Sequence, residues 1–195
     1  MRRLATFMTI AATLVLGACG DADRATQSDP ASNTTAGAAA HAIDLPGGPS
    51  KALAANAAQA NEIVGEGVKD LSTRLADLRG HPVVVNQWGS WCPPCRAEFP
   101  YFAQIAAKYQ DRVAFVGLDA NDARDAAQQF LGEVPPGFPS IFDPDSAATR
   151  SLGGGRISPT TFFLNTSGKR VDVRLGAYAN VGELEQDVRD LISNR

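Results

Sequence analysis

Apolar residues recur along the chain at two different spacings, which predict strands and helices. Runs rich in apolar or β-branched residues predict strands at 83–87, 113–118, 140–142, 160–164 and 170–175. Apolar residues every three or four positions predict helices at 51–64, 68–78, 122–131, 145–152, from the segment after Cys95 to Tyr109, and from Asn180 onward. Because strands and helices alternate, we predict an α/β fold with a central mixed β-sheet flanked by helices.

The first fifty residues lack this periodicity. Arg2 and Arg3 precede an apolar stretch, so residues 1–18 have the layout of a secretion signal and are too short for a spanning helix. Residues 19–50 contain almost no large apolar side chain, which predicts a flexible tether. The folded domain is therefore expected at residues 51–195, starting with a helical extension.

Composition narrows the range of functions. The chain has 195 residues, of which 44% are hydrophobic and 20% charged, as expected for one globular domain. Its formal net charge is −3, with no basic surplus or basic cluster. We therefore predict that the protein does not bind nucleic acid.

The chemistry is concentrated in the run Trp91-Cys92-Pro93-Pro94-Cys95, which follows the apolar residues 83–85. Two thiols at this spacing lie one helical turn apart and can form a disulfide with each other. Cys92 stands at the predicted helix start, where backbone N–H groups favour its thiolate form. We predict that Cys92 attacks a substrate disulfide and that Cys95 resolves the mixed disulfide.

Other uses of the two cysteines are weaker. A structural disulfide that closes a two-residue loop adds little stability. A structural zinc site needs about four ligands, and the sequence offers neither a second CxxC nor clustered histidines. We predict no metal and no organic cofactor. The direction of exchange, reduction or oxidation, stays open because Pro93-Pro94 does not fix the reduction potential.

Two segments resemble a known family. Residues 83–100, VVVNQWGSWCPPCRAEFP, resemble the TlpA/ResA-type membrane-anchored thioredoxin-like proteins. Residues 157–163, ISPTTFF, resemble the second landmark of that family, its cis-proline loop. With Gly168 and Gly176, the resemblance covers roughly residues 78–192. It implies a thioredoxin fold, which agrees with the predicted order of elements.

The resemblance also implies roles for residues around the thiols. Pro159 is expected to be cis, and the backbone of Ser158 to pair with an extended substrate segment. Trp91, Pro93 and Pro94 are expected to contact substrate beside the thiols. Either tryptophan of the chain, however, could simply be a core residue.

Glu98 follows Cys95 by three residues and returns to the same side of the helix. The resemblance implies that its carboxyl group moderates the thiols and shuttles a proton. The alternative is a solvated carboxylate favoured by the helix dipole. Asn86 occupies the position where ordinary thioredoxins carry a buried aspartate, so the strand itself supplies no catalytic carboxylate.

The third cysteine has a different role. Leu16-Gly17-Ala18-Cys19 resembles the lipobox of bacterial lipoproteins, which implies that Cys19 is lipidated and becomes the first residue of the mature chain. The alternative is an ordinary signal peptide cleaved near Ala18. A lipidated Cys19 leaves Cys92 and Cys95 as the redox pair.

The family resemblance suggests the setting of the reaction. It implies an extracytoplasmic, lipid-anchored oxidoreductase that reduces disulfides in exported proteins, with cytochrome c maturation as one role; an oxidant that introduces disulfides is the alternative. Its electron donor would be a membrane thiol protein of the DsbD or CcdA type.

Two other classes share this fold. A copper-binding module of the Sco type needs a distal histidine and a wider cysteine spacing, but no histidine follows His81. A peroxiredoxin-like peroxidase would have a threonine three residues before its reactive cysteine, where this chain has Gly89.

Overall fold

The structure is a computed structural model and describes residues 50–193. The predicted signal, Cys19 and nearly all of the predicted tether lie outside the described residues. The helices are α1 (Lys51–Ala57), α2 (Gly67–Asp77), α3 (Pro93–Tyr109), α4 (Arg124–Glu133), α5 (Ala147–Ser151) and α6 (Val181–Ser193). The strands are β1 (Ile63–Glu66), β2 (Val83–Trp88), β3 (Ala114–Ala120), β4 (Ser140–Asp143), β5 (Thr160–Leu164) and β6 (Arg170–Leu175). Between residues 50 and 193, no helix is long and apolar enough to cross a membrane.

The strands form one six-stranded mixed sheet in the order β1-β4-β3-β2-β5-β6. Strands β1, β4, β3 and β2 run parallel, whereas β5 is antiparallel to β2 and β6 is antiparallel to β5. All six residues of β2 are buried, as a central strand covered on both faces requires. The predicted α/β fold with a central mixed sheet is confirmed.

Each face of the sheet is covered by helices with an apolar stripe. On one face, α3 and α6 pack through Phe102, Ile105 and Leu184 against Phe115 and Phe163 of the sheet. On the other face, α1, α2 and α5 contribute a second apolar cluster, which contains Leu53, Leu71, Ala148, Val85 and Ile141. The two clusters hold the central strands rigidly, so the loops at the strand ends have a fixed frame.

The predicted helix at 51–64 is wrong in its second half. Helix α1 ends at Ala57, and Ile63 and Val64 lie in β1, an edge strand parallel to β4. A turn intervenes in which Asn61 has φ 67°, a left-handed conformation that asparagine tolerates better than most residues. The alanine-rich sequence favours a helix locally, but pairing with β4 stabilises the β-branched pair as a strand. The amino-terminal extension is thus helical in α1 and α2, with a strand between them.

Candidate redox site

The proposed site residues meet at one edge of the sheet. Parallel strands β2, β3 and β4 all end at this edge, and antiparallel β5 begins there because Gln87 pairs with Thr160. The loop after β2, which leads to Cys92, therefore lies beside the loop before β5, which contains Ser158 and Pro159. The Ser158–Pro159 peptide bond is cis, as expected.

Cys92 and Cys95 form a disulfide at the start of α3, with a Cα–Cα distance of 5.3 Å. Cys92 is the N-cap residue of this 17-residue helix, and its Sγ accepts a hydrogen bond from the Cys95 backbone N–H at 3.3 Å. Both cysteines are buried, with exposed fractions of 2% and 0%. Pro93 and Pro94 carry no backbone N–H, so in the reduced pair the Cys95 N–H and the helix dipole stabilise negative charge on Cys92.

The disulfide packs on an aromatic floor. The rings of Trp88, Phe99 and Phe130 lie 5.3–5.4 Å apart between centroids, Trp88 stacked on Phe130 and Phe99 edge-on to both. These side chains belong to the same buried cluster as Cys92 and Cys95. Trp88 is therefore the core tryptophan, and a substrate has to approach the thiols from the outer side.

The outer side carries the residues expected to contact substrate. Trp91 is 51% exposed and Pro93 and Pro94 are exposed, whereas Ser158 is half-buried and Pro159 buried. The Trp91 indole N–H donates a hydrogen bond to the carbonyl oxygen of residue 121 at 3.0 Å, which fixes the ring.

The Trp91 ring lies so close to residue 89 that any side chain there would displace the ring. A Cβ at Gly89 would approach Trp91 Nε1 to 2.5 Å, closer than van der Waals contact permits. Gly89 thus lets the indole fold back over the loop before the thiols.

Glu98 is fully buried, which excludes the solvated carboxylate considered above. Its Oε1 accepts a hydrogen bond from Asn86 Nδ2 at 2.9 Å, and its Oε2 accepts one from the Tyr178 backbone N–H at 3.1 Å. Burial raises the pKa of Glu98 from 4.5 to about 7, although these two hydrogen bonds and the charge of Arg174 lower it. A carboxyl group one turn below Cys95 thus changes protonation near neutral pH.

Asn86 takes part in the same buried network. It lies on β2, and its Nδ2 also donates to Thr161 Oγ1 on β5 at 3.2 Å. Asn86 on β2 therefore supplies no carboxyl group itself; its amide holds the carboxyl group of Glu98 in place. Helix α3 provides the buried acid beneath the thiols.

Sequence analysis missed a second buried acid, Asp119. It is fully buried near the end of β3, and neither carboxyl oxygen has a hydrogen-bond donor among residues 50–193. Its pKa is raised from 3.8 to about 9, first by burial and then by the charge of Asp122, a hydrogen bond with Asp122 and the charge of Asp143, whereas the charge of Arg124 lowers it. Asp119 is therefore protonated at neutral pH and can donate its proton to Asp122. The sequence predicts a strand end near Leu118, whereas β3 continues to Ala120 and so includes Asp119.

Asp122 links this acid to the redox loop. Its carboxylate accepts hydrogen bonds from both the backbone N–H and the hydroxyl group of Ser90, two residues before Cys92. The protonated Asp119 thus supports the carboxylate that holds the loop. Removing the proton would place the buried Asp119 carboxylate beside the half-buried Asp122 carboxylate.

We predict that Asp119→Asn stabilises the protein at alkaline pH. The Asp119 pKa is 3.8 ordinarily and about 9 here, so its stabilising contribution is complete below the lower value and is lost as pH rises through the higher one. An asparagine amide can donate to Asp122 as the protonated acid does, without titrating. Relative to wild type, the variant should gain at least about 2 kcal/mol in unfolding free energy between about pH 5 and about pH 8.

The measurement is denaturant unfolding at both pH values. Asp125→Asn is the matched control, because Asp125 is exposed on the first turn of α4. A parallel pH dependence in wild type and Asp119→Asn would show that Asp119 is not held protonated.

The structure does not favour a copper site. His81 precedes β2, at the end of the strand opposite Cys92, and its Nε2 lies 2.8 Å from Ser50 Oγ. Among residues 50–193, no three histidine, cysteine, aspartate or glutamate side chains cluster as metal ligands would. His81 therefore does not lie near the thiols and cannot serve as the distal histidine of a Sco-type site.

Comparisons with known proteins agree with this geometry. The profile of the Redoxin family matches residues 54–188. The chain is 34% identical over 103 residues to thiol-disulfide oxidoreductase ResA of Bacillus thuringiensis, covering 52% of this chain and 59% of that protein. It is 30% identical over 143 residues to ResA of Halalkalibacterium halodurans, covering 73% and 78% of the two chains.

A solved structure shares the fold. A putative thiol:disulfide interchange protein DsbE from Chlorobium tepidum superposes with a TM-score of 0.56 at 32% identity, covering 60% of this chain and 84% of that one. The chain spans 59% of the length of the Bacillus thuringiensis relative. Family profile, relatives and fold nevertheless agree: the chain belongs to the Redoxin family and is of the thioredoxin-fold, ResA-like type.

Proposed function

We propose that the protein is an extracytoplasmic thiol–disulfide oxidoreductase that reduces disulfides in exported proteins through Cys92 and Cys95. The observation that carries the proposal is a disulfide at the start of α3, with a rim of exposed residues outside it and a buried acid beneath it. A purely structural disulfide would require neither the rim nor the acid.

The reaction proceeds in two exchange steps. The Cys92 thiolate attacks one sulfur of the substrate disulfide, and the other substrate sulfur leaves as a thiolate that takes up a proton. Cys95 then loses its proton to the Glu98 carboxylate and attacks Cys92 Sγ, which releases the second substrate thiol. Two electrons pass to the substrate, whose disulfide becomes two thiols, and the protein is left with a Cys92–Cys95 disulfide. A thiol donor must therefore reduce Cys92–Cys95 before the next cycle.

The setting of the reaction belongs to the same proposal. The secretion signal places the domain outside the cytoplasm, and lipidated Cys19 holds it at the membrane through its tether. The recharging donor is a membrane thiol protein of the DsbD or CcdA type, and apocytochrome c is one candidate substrate. These assignments rest on the amino-terminal sequence and on the resemblance to ResA-like proteins.

The reduction potential of the Cys92–Cys95 couple tests the direction of exchange. We expect a value at or below about −220 mV, in the range of glutaredoxins and thioredoxin. The full chain is equilibrated in glutathione or dithiothreitol buffers, and its free thiols are counted by alkylation. A value near about −120 mV, as in strong oxidants, would reverse the assigned direction.

A further inference from the structure

A groove of about 530 Å³ opens beside the redox site. Its lining includes Trp91, Asn121, Asp145, Arg150, Arg156 and Ser158. Trp91 directly precedes Cys92, and Ser158 belongs to the cis-proline loop, so one end of the groove lies at the thiols. The other end lies at α5 and the loop that follows it.

The groove carries a surplus of positive charge. Arg156 is exposed and has no ion pair with any of residues 50–193. Arg150 is also exposed, and its Nη1 donates to the Asp145 carbonyl oxygen at 2.7 Å, which anchors the side chain without neutralising it. The Asp145 carboxylate accepts the Ala147 N–H at 3.0 Å. Two guanidinium groups thus face one carboxylate.

Other arginines near the redox site are already neutralised. Arg96, next to Cys95, pairs with Glu133 at 3.1 Å. Arg174, near Glu98, pairs with Glu183 and Asp187. The positive groove is also unexpected in a chain whose formal net charge is −3. The groove therefore attracts anionic groups locally, although the protein as a whole is negatively charged.

We propose that this groove selects substrates that carry a carboxylate side chain about two or three residues from the attacked cysteine. The inference rests on the proposed function and adds a substrate class to it. Arg156 lies two residues from Ser158, whose backbone is expected to pair with the substrate. An extended segment advances about 3.3 Å per residue, so its side chains pass Arg156 within a few residues of the cysteine.

The chemistry of the lining fits an acidic polypeptide segment. Guanidinium groups bind carboxylates through two parallel hydrogen bonds, a geometry that a lone ammonium lacks. Trp91 provides an apolar surface for the neighbouring substrate residue. Because the groove is open to solvent, we expect a modest preference, roughly three- to tenfold, that weakens as salt rises.

Binding can be tested without turnover. The probes are two peptides in which serine replaces the cysteine, one with aspartate and one with lysine three residues away. The full chain in its disulfide form is ¹⁵N-labelled and titrated with each peptide, and shifts are followed at the Trp91 indole, Asn121 and Gly155. The aspartate peptide should bind at least threefold more tightly, and Arg156→Glu should abolish or reverse this difference.

Arg112→Glu is the matched control, since Arg112 is exposed before β3, at the opposite end of the sheet from the thiols. It changes net charge equally and should leave the preference unchanged. Equal affinity for the two peptides, or a preference that survives Arg156→Glu, would overturn the inference. A wild-type chain that prefers the aspartate peptide but cannot reduce insulin would support the groove and contradict the proposed function instead.

Discussion

Cys92→Ser should lower the rate of protein-disulfide reduction by at least about 10³-fold, because the variant lacks the thiolate that we propose starts the exchange. A serine hydroxyl is far less acidic than a thiol, and the helix start cannot ionise it at neutral pH. The fold should survive, because serine is nearly isosteric and the lost disulfide closes only a two-residue loop. Insulin reduction with dithiothreitol as electron source, together with thermal unfolding, measures both effects.

Cys95→Ser is the matched control one helical turn away. It keeps the attacking thiol and removes the resolving one, so exchange should stop at the mixed disulfide. Non-reducing electrophoresis after incubation with a disulfide protein should show a covalent adduct for Cys95→Ser and none for Cys92→Ser. Adducts formed equally by both variants, or turnover retained by Cys92→Ser, would assign the chemistry to other residues.

The elements that sequence could predict are those with a local cause. The run Val83–Val85 predicts a buried central strand because its apolar residues are continuous, and β2 is buried throughout. Edge strand β1 has no such signal, since four residues beside an alanine-rich helix are stabilised as a strand only by β4. The local spacing of apolar residues does not predict which distant segments will pair as strands.

The residues of the site also separate into those that local sequence predicts and those that depend on distant segments. The CxxC spacing and the helix start are local, so Cys92 and Cys95 could be chosen from sequence. The cis bond before Pro159 required the family resemblance, because isolated X-Pro bonds in folded proteins are cis only about 5% of the time. The burial of Glu98 and Asp119 depends on groups brought by other strands and helices, which no local pattern reveals.

The protonation state of the Glu98 carboxyl group should control how fast Cys95 resolves the mixed disulfide. Its pKa of about 7 means that the carboxylate, which can accept the Cys95 proton, becomes available as pH rises through neutrality. The raised pKa of Glu98 also affects the free energy of unfolding, which falls over the pH range in which the rate rises. The contribution of Glu98 to folding is complete below its ordinary pKa of 4.5 and is lost as pH rises through about 7. Function near neutral pH thus uses a group whose ionisation disfavours the fold.

Glu98→Gln should lower the single-turnover reduction rate by about 10²-fold above neutral pH, the usual contribution of a positioned base. The rise in rate that we expect of wild type near pH 7 should be absent, because glutamine does not titrate. Stopped-flow measurement of substrate thiol release over about pH 5.5 to 8.5 tests both expectations. Unfolding free energies measured from about pH 4 to about pH 8.5 should lose the decrease that wild type is expected to show between about pH 4.5 and about pH 7.

Glu133→Gln supplies the control for this change. Glu133 is a half-exposed carboxylate on α4 that pairs with Arg96 beside the thiols, and hydrogen bonds from Gln129 and Arg96 keep its pKa low. It stays ionised throughout the measured range, so its removal should leave the pH profile unchanged. A Glu98→Gln variant that is slower but keeps the wild-type rise near pH 7 would mean that Glu98 only holds Asn86 and Tyr178 in place. Proton transfer would then have to reach Cys95 from solvent.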